Sequence, residues 1–297
     1  MLSSVVWNVD PAIFSFFGME IRWYGLLFAL GFLAGYYIEA KILKNDKAPD
    51  DWIDKLFIYV IIATIIGARL GHCFFYDWEY YSNNPLDIFK IWEGGLASHG
   101  GTIAIIIAVL IFAKKVTHRN AMWVFDRLVI PIALVAAMIR LGNLMNHEIY
   151  GSQTTMPWGF NFIMNIHEWQ NGGAPQYSPT SHPTQIYESL SYLTLFFVLM
   201  FMYWKKGAGD KKGLLFGVFM LWVFGSRFII EFLKLPQEIF ELELIEQFGM
   251  NMGQILSIPF ILIGIYFTIT GARRSKESGK ISRRHTHIHR RHKTVEK

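Results

Sequence analysis

The chain has 297 residues, 53% of them hydrophobic, 16% aromatic and only 17% charged, with a formal net charge of +5 at pH 7. A water-soluble globule of this composition would leave much apolar surface in water, so the fold class it predicts is an all-α polytopic membrane protein. The excess of positive charge lies in connections and tail, where it serves topology and attraction to anionic lipid heads, and it gives no support to nucleic-acid binding.

Crossing about 30 Å of hydrocarbon takes roughly 20 mostly apolar residues in a helix. Seven stretches qualify: 22–40, 56–75, 98–115, 121–142, 186–204, 213–233 and 252–270. The first carries Tyr24 near its start and lacks the small-residue cleavage pattern of a removable signal peptide. Within the second lie Arg69 and the single cysteine, Cys73, which excludes an internal disulfide and reads as a small buried side chain. His99, Gly100 and Gly101 open the third. The fourth holds Arg127 near its beginning and ends in Arg140-Leu-Gly-Asn143-Leu-Met-Asn146-His-Glu148-Ile-Tyr-Gly151, a cation, amides and a carboxylate set directly after an apolar run. Ionisable groups at membrane depth are costly, which marks this block as a functional site.

A connection from 143 to 185 follows, rich in aromatics and too long for a simple turn; it predicts an external cap. Gln185 precedes the fifth span, introduced by His182 and Pro183. The sixth carries Arg227 and Glu231, four apart and able to pair along one helix face. Domain organisation is therefore a seven-helix catalytic unit, 1–272, and a basic tail, 273–297, expected to be disordered; its His285, His287, His289 and His292 read as part of a solvated surface.

Lysine and arginine fall mostly on one side. Connections 41–55, 114–119 and 205–212 and the tail carry twenty-one, whereas the alternate connections carry only Lys90 and Lys234. The positive-inside rule then puts the amino terminus outside and the carboxyl terminus in the cytoplasm of a multi-pass inner-membrane protein. Counting 1.5 Å per helical residue from each inner boundary sends Arg69, Arg140 and Arg227 to the outer half. Tyr24, His99, Asn143, Glu148 and Gln185 reach the same level. Arg127 alone stays near the inner end beside Asp126, where snorkelling satisfies it as a structural group.

Guanidinium forks match phosphate oxygens, so several at headgroup level point to an anionic phospholipid. Asn143, Asn146 and Gln185 suit glycerol or ester oxygens, the Gly100-Gly101 pair suits close backbone approach, and His99 is a candidate base because imidazole as a side-chain type suits proton transfer near neutrality. No His-Glu-x-x-His or phosphate-loop spacing occurs, so neither a metal nor another cofactor is expected. An enzyme, an anion transporter and a passive lipid scaffold all remain compatible with this inventory.

Taken together, Ile21-Arg-Trp-Tyr24-Gly25, Gly67-Ala-Arg69-Leu-Gly71, Glu93-Gly-Gly95-Leu-Ala-Ser-His99-Gly-Gly101, Arg140 to Gly151, His182-Pro-Thr-Gln185, Gly225-Ser-Arg227-Phe-Ile-Ile-Glu231-Phe and Met252-Gly-Gln254-Ile-Leu-Ser257-Ile-Pro259 resemble the bacterial prolipoprotein diacylglyceryl transferase family. The sequence departs from the family pattern at Ala97-Ser98 and at His147, where the family often has glycine. The resemblance implies transfer of the diacylglyceryl group of phosphatidylglycerol to the lipobox cysteine of a preprolipoprotein, at the outer face of the membrane. It implies that Arg140 binds phosphate, that Arg227 stabilises developing charge or helps activate the thiol, and that His99 is the base with Tyr24 as helper. Arg69, Gly100, Gly101, Asn143, Asn146, Glu148, Gly151, Gln185 and Glu231 would line the substrate site. The nucleophile would belong to the substrate, leaving Cys73 dispensable.

Overall fold

In the computed structural model residues 4–16, 19–91, 94–234 and 245–274 are described; Glu93 and the tail from 275 onward, with its four histidines, lie outside them. Seven helices among the described residues are long and apolar enough to span a membrane. They are α1 (Trp23–Asn45), α2 (Asp51–Phe75), α4 (Ser98–Phe112, continued by a π turn to Thr117), α5 (Ala121–Met145), α7 (Thr184–Lys206), α8 (Leu214–Ile230, continued by a 3-10 turn to Leu233) and α9 (Met252–Arg273). Two short helices, α3 (Trp78–Asn83) and α6 (Ile166–Gln170), occupy connections.

Local chemistry sets several of the ends. Asp51 and Asp54 place negative charge on the first turn of α2, where the helix dipole favours it. At the start of α9 the Asn251 side chain accepts the Gln254 N–H at 2.9 Å while the Gln254 side chain accepts the Asn251 N–H at 3.0 Å, a reciprocal capping box. Hydropathy gives no hint of the four short strands. β1 (Val5–Val6) pairs in parallel with β4 (Phe160–Asn161), and β2 (Ala12–Phe16) forms an antiparallel hairpin with β3 (Met19–Arg22) just before α1.

The chain divides into two compact units, one of residues 1–37 and 128–277, the other containing 38–127. The first holds most of α5, all of α7, α8 and α9, and the 146–183 connection. Its exterior is apolar, unlike that of a soluble protein: Thr184, Gln185, Glu188, Ser189, Asn251, Gln254 and Ser257 are buried beside Leu195, Leu199 and Leu215, whereas Phe197, Phe201, Leu256, Leu262 and Tyr266 face outward. That is the arrangement expected when the solvent is hydrocarbon and only helix neighbours can satisfy polar groups. Ser189 donates to the Ala137 carbonyl at 3.0 Å and Trp222 to Ser191 at 3.1 Å, binding α7 to α5 and α8 to α7.

The second unit is built on α2 against α4. A Cβ on Gly71 would lie 2.7 Å from the Gly100 Cα, so these helices touch backbone to backbone. At the far end of this unit Arg127 is 1% exposed, in contrast to the snorkelling expected beside Asp126. Its guanidinium pairs with Asp46, donates to the Trp123 carbonyl at 2.9 Å and lies 3.8 Å from that indole ring. A carboxylate and an aromatic face supplied from within remove its need for water.

Candidate active site

The first unit gathers polar groups from α1, α5, α7 and α8 at one end of its helices. α5 delivers Arg140 on its last turns and breaks after Met145, where His147 (φ 57°) and Ile149 (φ 59°) both adopt the left-handed conformation. A β-branched residue there is strained, by about 1–3 kcal/mol, and such strain concentrates at functional sites. The double turn folds Glu148 back along the helix: Asn143 donates to Glu148 Oε1 at 2.7 Å and Asn146 to the same oxygen at 3.2 Å. Gln185, fully buried at the start of α7, donates to the Glu148 carbonyl at 2.6 Å.

Arg140 is held on two sides. Its Nε lies 3.1 Å from Glu188 Oε2, and its Nη1 donates to Asn143 Oδ1 at 3.4 Å. Glu188 is completely buried, and its other oxygen accepts from Lys234 at 3.1 Å. Lys234 in turn lies 3.2 Å from Glu231 Oε2. The result is a relay, Arg140–Glu188–Lys234–Glu231, that joins α5, α7 and the end of α8. Arg227 differs: its Nε is buried without a hydrogen-bond partner, and it forms no ion pair among the described residues. The pairing of Arg227 with Glu231 allowed by their spacing is absent, because Lys234, three residues beyond Glu231, takes the carboxylate instead.

Arg140 and Arg227 both lie within electrostatic reach of the Tyr192 hydroxyl, buried on α7. Tyr24 is within such reach of Arg140 and Glu148. Next to it a cleft of about 370 Å³ is lined by Glu20, Arg22, Tyr24, Gly25 and Asn146, among others. Several buried polar atoms in this unit lack a hydrogen bond: Asn146 Oδ1, Gln185 Oε1, Glu188 Oε2, Arg227 Nε and Glu231 Oε2. Of these, the two carboxylate oxygens are held by charge alone. Unsatisfied donors and acceptors together in a dry interior suit a ligand carrying both anionic and hydroxyl oxygens. Among the described residues no group of three or more potential metal ligands occurs.

Gly151 has a packing reason of its own. A Cβ there would come within 2.5 Å of the Leu233 carbonyl and 2.7 Å of Thr184, where the backbone bridges to Lys234.

His99, Gly100, Gly101 and Arg69 belong to the second unit. His99 is exposed on the first turn of α4, and its side chain makes no hydrogen bond among the described residues. Gly100 is explained by its backbone contact with Gly71, and Gly101 meets only ordinary contacts, the nearest Ala68 at 3.7 Å. Arg69 is engaged by the backbone of its own unit. It is 3% exposed, donates to the carbonyls of Ile88 at 2.8 Å, Gly94 at 2.7 Å and Asp87 at 2.6 Å, and stacks 5.0 Å from the Tyr81 ring. Its donors staple the connection after α2 in place.

Glu188, Tyr192 and Lys234 were not among the residues singled out from the sequence. Glu188 carried the usable signal, a carboxylate one turn inside an apolar span; Lys234 was counted only as a loop charge.

Residues 11–270 match the family described as prolipoprotein diacylglyceryl transferase. The chain is 52% identical over 267 residues to a phosphatidylglycerol–prolipoprotein diacylglyceryl transferase of Porphyromonas gingivalis, covering 89% of this chain and 94% of that protein. Proteins of the same name from Chloroherpeton thalassium and Tolumonas auensis are 43% and 41% identical, covering 89% and 90% of this chain and 92% and 97% of theirs. With seven membrane-spanning helices and a buried arginine-carboxylate relay to set beside these matches, the chain belongs to the prolipoprotein diacylglyceryl transferase family.

Proposed function

We propose that this protein transfers the diacylglyceryl group of phosphatidylglycerol to the cysteine thiol of a preprolipoprotein lipobox, releasing glycerol phosphate. Family membership supports the reaction, and the observation that carries the site is Arg140, held by Glu188 and Asn143, in the same unit as Arg227, whose buried Nε has no hydrogen-bond partner. In the transfer a cysteine sulfur forms a bond to the glycerol carbon while that carbon's bond to phosphate oxygen breaks. The thiol proton goes to a base, and the leaving phosphate takes the electron pair. The protein must therefore stabilise negative charge on phosphate in a low-dielectric setting, where preorganised donors act most strongly.

Arg227, lacking a carboxylate partner, is the group free to meet that charge. Arg140 is oriented by Glu188 and Asn143 to hold the phosphate from the other side. Asn146, Gln185 and Glu148 order the glycerol hydroxyls, and His99 is the proposed acceptor of the thiol proton. The distribution of lysine and arginine supports an inner-membrane protein whose amino terminus and active site face outward. The 143–185 connection acts as an external cap that guides the signal peptide.

The test is purified protein in vesicles containing phosphatidylglycerol, mixed with a lipobox peptide and followed by mass spectrometry. The native chain should add one diacylglyceryl group per peptide, an outcome that neither a transporter nor a passive scaffold produces. Arg140→Ala should remain membrane-inserted and lose the transfer. Normal turnover by that variant would overturn the role given to Arg140.

A further inference from the structure

His147 stands between Asn146 and Glu148, but its ring makes its hydrogen bonds away from the Arg140 relay. Its ring is buried and both nitrogens are engaged. Nε2 lies 2.9 Å from the Val9 carbonyl, which can only accept, so Nε2 carries the proton. Nδ1 accepts the backbone N–H of Ile163 at 3.1 Å, so Nδ1 has none. The two bonds define one neutral tautomer and connect three stretches: the segment after β1, the turn after α5 and the segment after β4. Neighbouring contacts reinforce the junction, with Trp7 donating to the Leu144 carbonyl at 3.0 Å and Gln170 to Asp10 at 2.8 Å.

The backbone at His147 is left-handed, and this turn is what returns Glu148 to Asn143. A histidine pays conformational energy in that region that a glycine does not. The ring's two bonds offset that cost and fix the direction in which the chain leaves α5.

We propose that His147 is a positioning residue for the transfer reaction: its neutral, Nε2-protonated ring locks the turn that holds Glu148 on Asn143, and through Asn143 the approach of Arg140. Adding a proton to Nδ1 would set an N–H against the Ile163 N–H and release the second stretch. Burial holds the ring's pKa below the usual histidine value, opposed by the Val9 carbonyl and the field of Asp10. The other ionisable side chains on the segments around it are Glu148 and Tyr150, beside it in the chain, and His167 and Glu168 on α6, whose Trp169 ring is 6.4 Å from the imidazole. With the folded-state pKa lowered, the bonded neutral form is complete above the ordinary value of 6.5 and is lost as pH falls through the lowered one.

The inference rests on the transferase reading, and its test separates the two. Full-length native protein, His147→Gly and His147→Gln are compared in phosphatidylglycerol vesicles with a lipobox peptide, measuring kcat/KM from about pH 5 to about pH 8, across the histidine range. Glycine accepts the left-handed backbone, so this variant removes the two bonds without adding strain. Although the family often has glycine here, in this chain the ring satisfies the Val9 carbonyl and the Ile163 N–H, so the variant should still lose about tenfold in kcat/KM, toward the lower end for a displaced catalytic group. Glutamine keeps a donor and an acceptor but does not titrate. It should recover most of the activity at neutral pH and, keeping only the fall-off that protonation of the base imposes, lose activity less steeply than the native chain as the pH falls. The ring ¹⁵N spectrum of the native protein, assigned by difference from His147→Gln, should show the Nε2–H tautomer at neutral pH.

Native kinetics in His147→Gly, an unchanged acidic limb in His147→Gln, or an Nδ1–H ring would each overturn the proposal. Should His147→Gly unfold, the His147→Gln profile and the ring spectrum decide. Absence of lipidation by the native chain would defeat the transferase reading instead, leaving the tautomer to be judged by the spectrum.

Discussion

Arg140, Arg227 and Arg69 are the same residue type at similar depth in the sequence reading, yet the structure gives them three different conditions. Arg140 is oriented by Glu188 and Asn143, Arg227 has an unpartnered Nε, and Arg69 is consumed by backbone carbonyls. The condition decides which of them can respond to a ligand. A guanidinium already satisfied by three carbonyl groups contributes to folding, so Arg69→Ala should lower stability by about 3–6 kcal/mol, the scale of a pair of charge-assisted hydrogen bonds. Thermal unfolding in detergent would measure it, and an unchanged midpoint would contradict the stapling role. Residue type and place within an apolar span were legible in the sequence for all three. Their partners were not, because Asp87, Ile88 and Gly94 approach Arg69 only through the fold of the connection, and Glu188 and Lys234 reach one another across helices 46 residues apart in the chain.

Helices, the next scale up, were the most legible. Their signal is a sum over some twenty residues, and all seven spans predicted from hydropathy are present with ends displaced by a few residues. The strands β1 and β4 were invisible for the converse reason: each has only two residues and exists through its pairing with the other. Contact between elements depends on small residues. Because the Gly71 Cα sits against Gly100, Gly71→Leu would force α2 and α4 apart and should destabilise the second unit by about 3 kcal/mol, at the upper end for overpacking. Greater susceptibility to proteolysis in the 76–97 connection than in 146–183 would locate the damage; equal susceptibility would show that the helices separate without consequence.

Across the whole molecule, the asymmetry of basic residues makes a prediction about sidedness. In a Cys73→Ser background, Asn171→Cys, exposed in the long connection, should react with an impermeant maleimide added to intact spheroplasts, whereas Lys205→Cys should react only after permeabilisation. The opposite pattern would invert the proposed topology. The polar end of the first unit has a further property that follows from its composition. Arg140, Arg227 and Lys234 are matched there by Glu148, Glu188 and Glu231, three cations against three anions. With no surplus of either sign, the transmembrane voltage exerts little net pull on the resting site, about 2.3 kcal/mol per 100 mV being the penalty that a single uncompensated charge moved across the whole field would incur. An empty site so arranged has no electrical reason to change its packing when its membrane is energised.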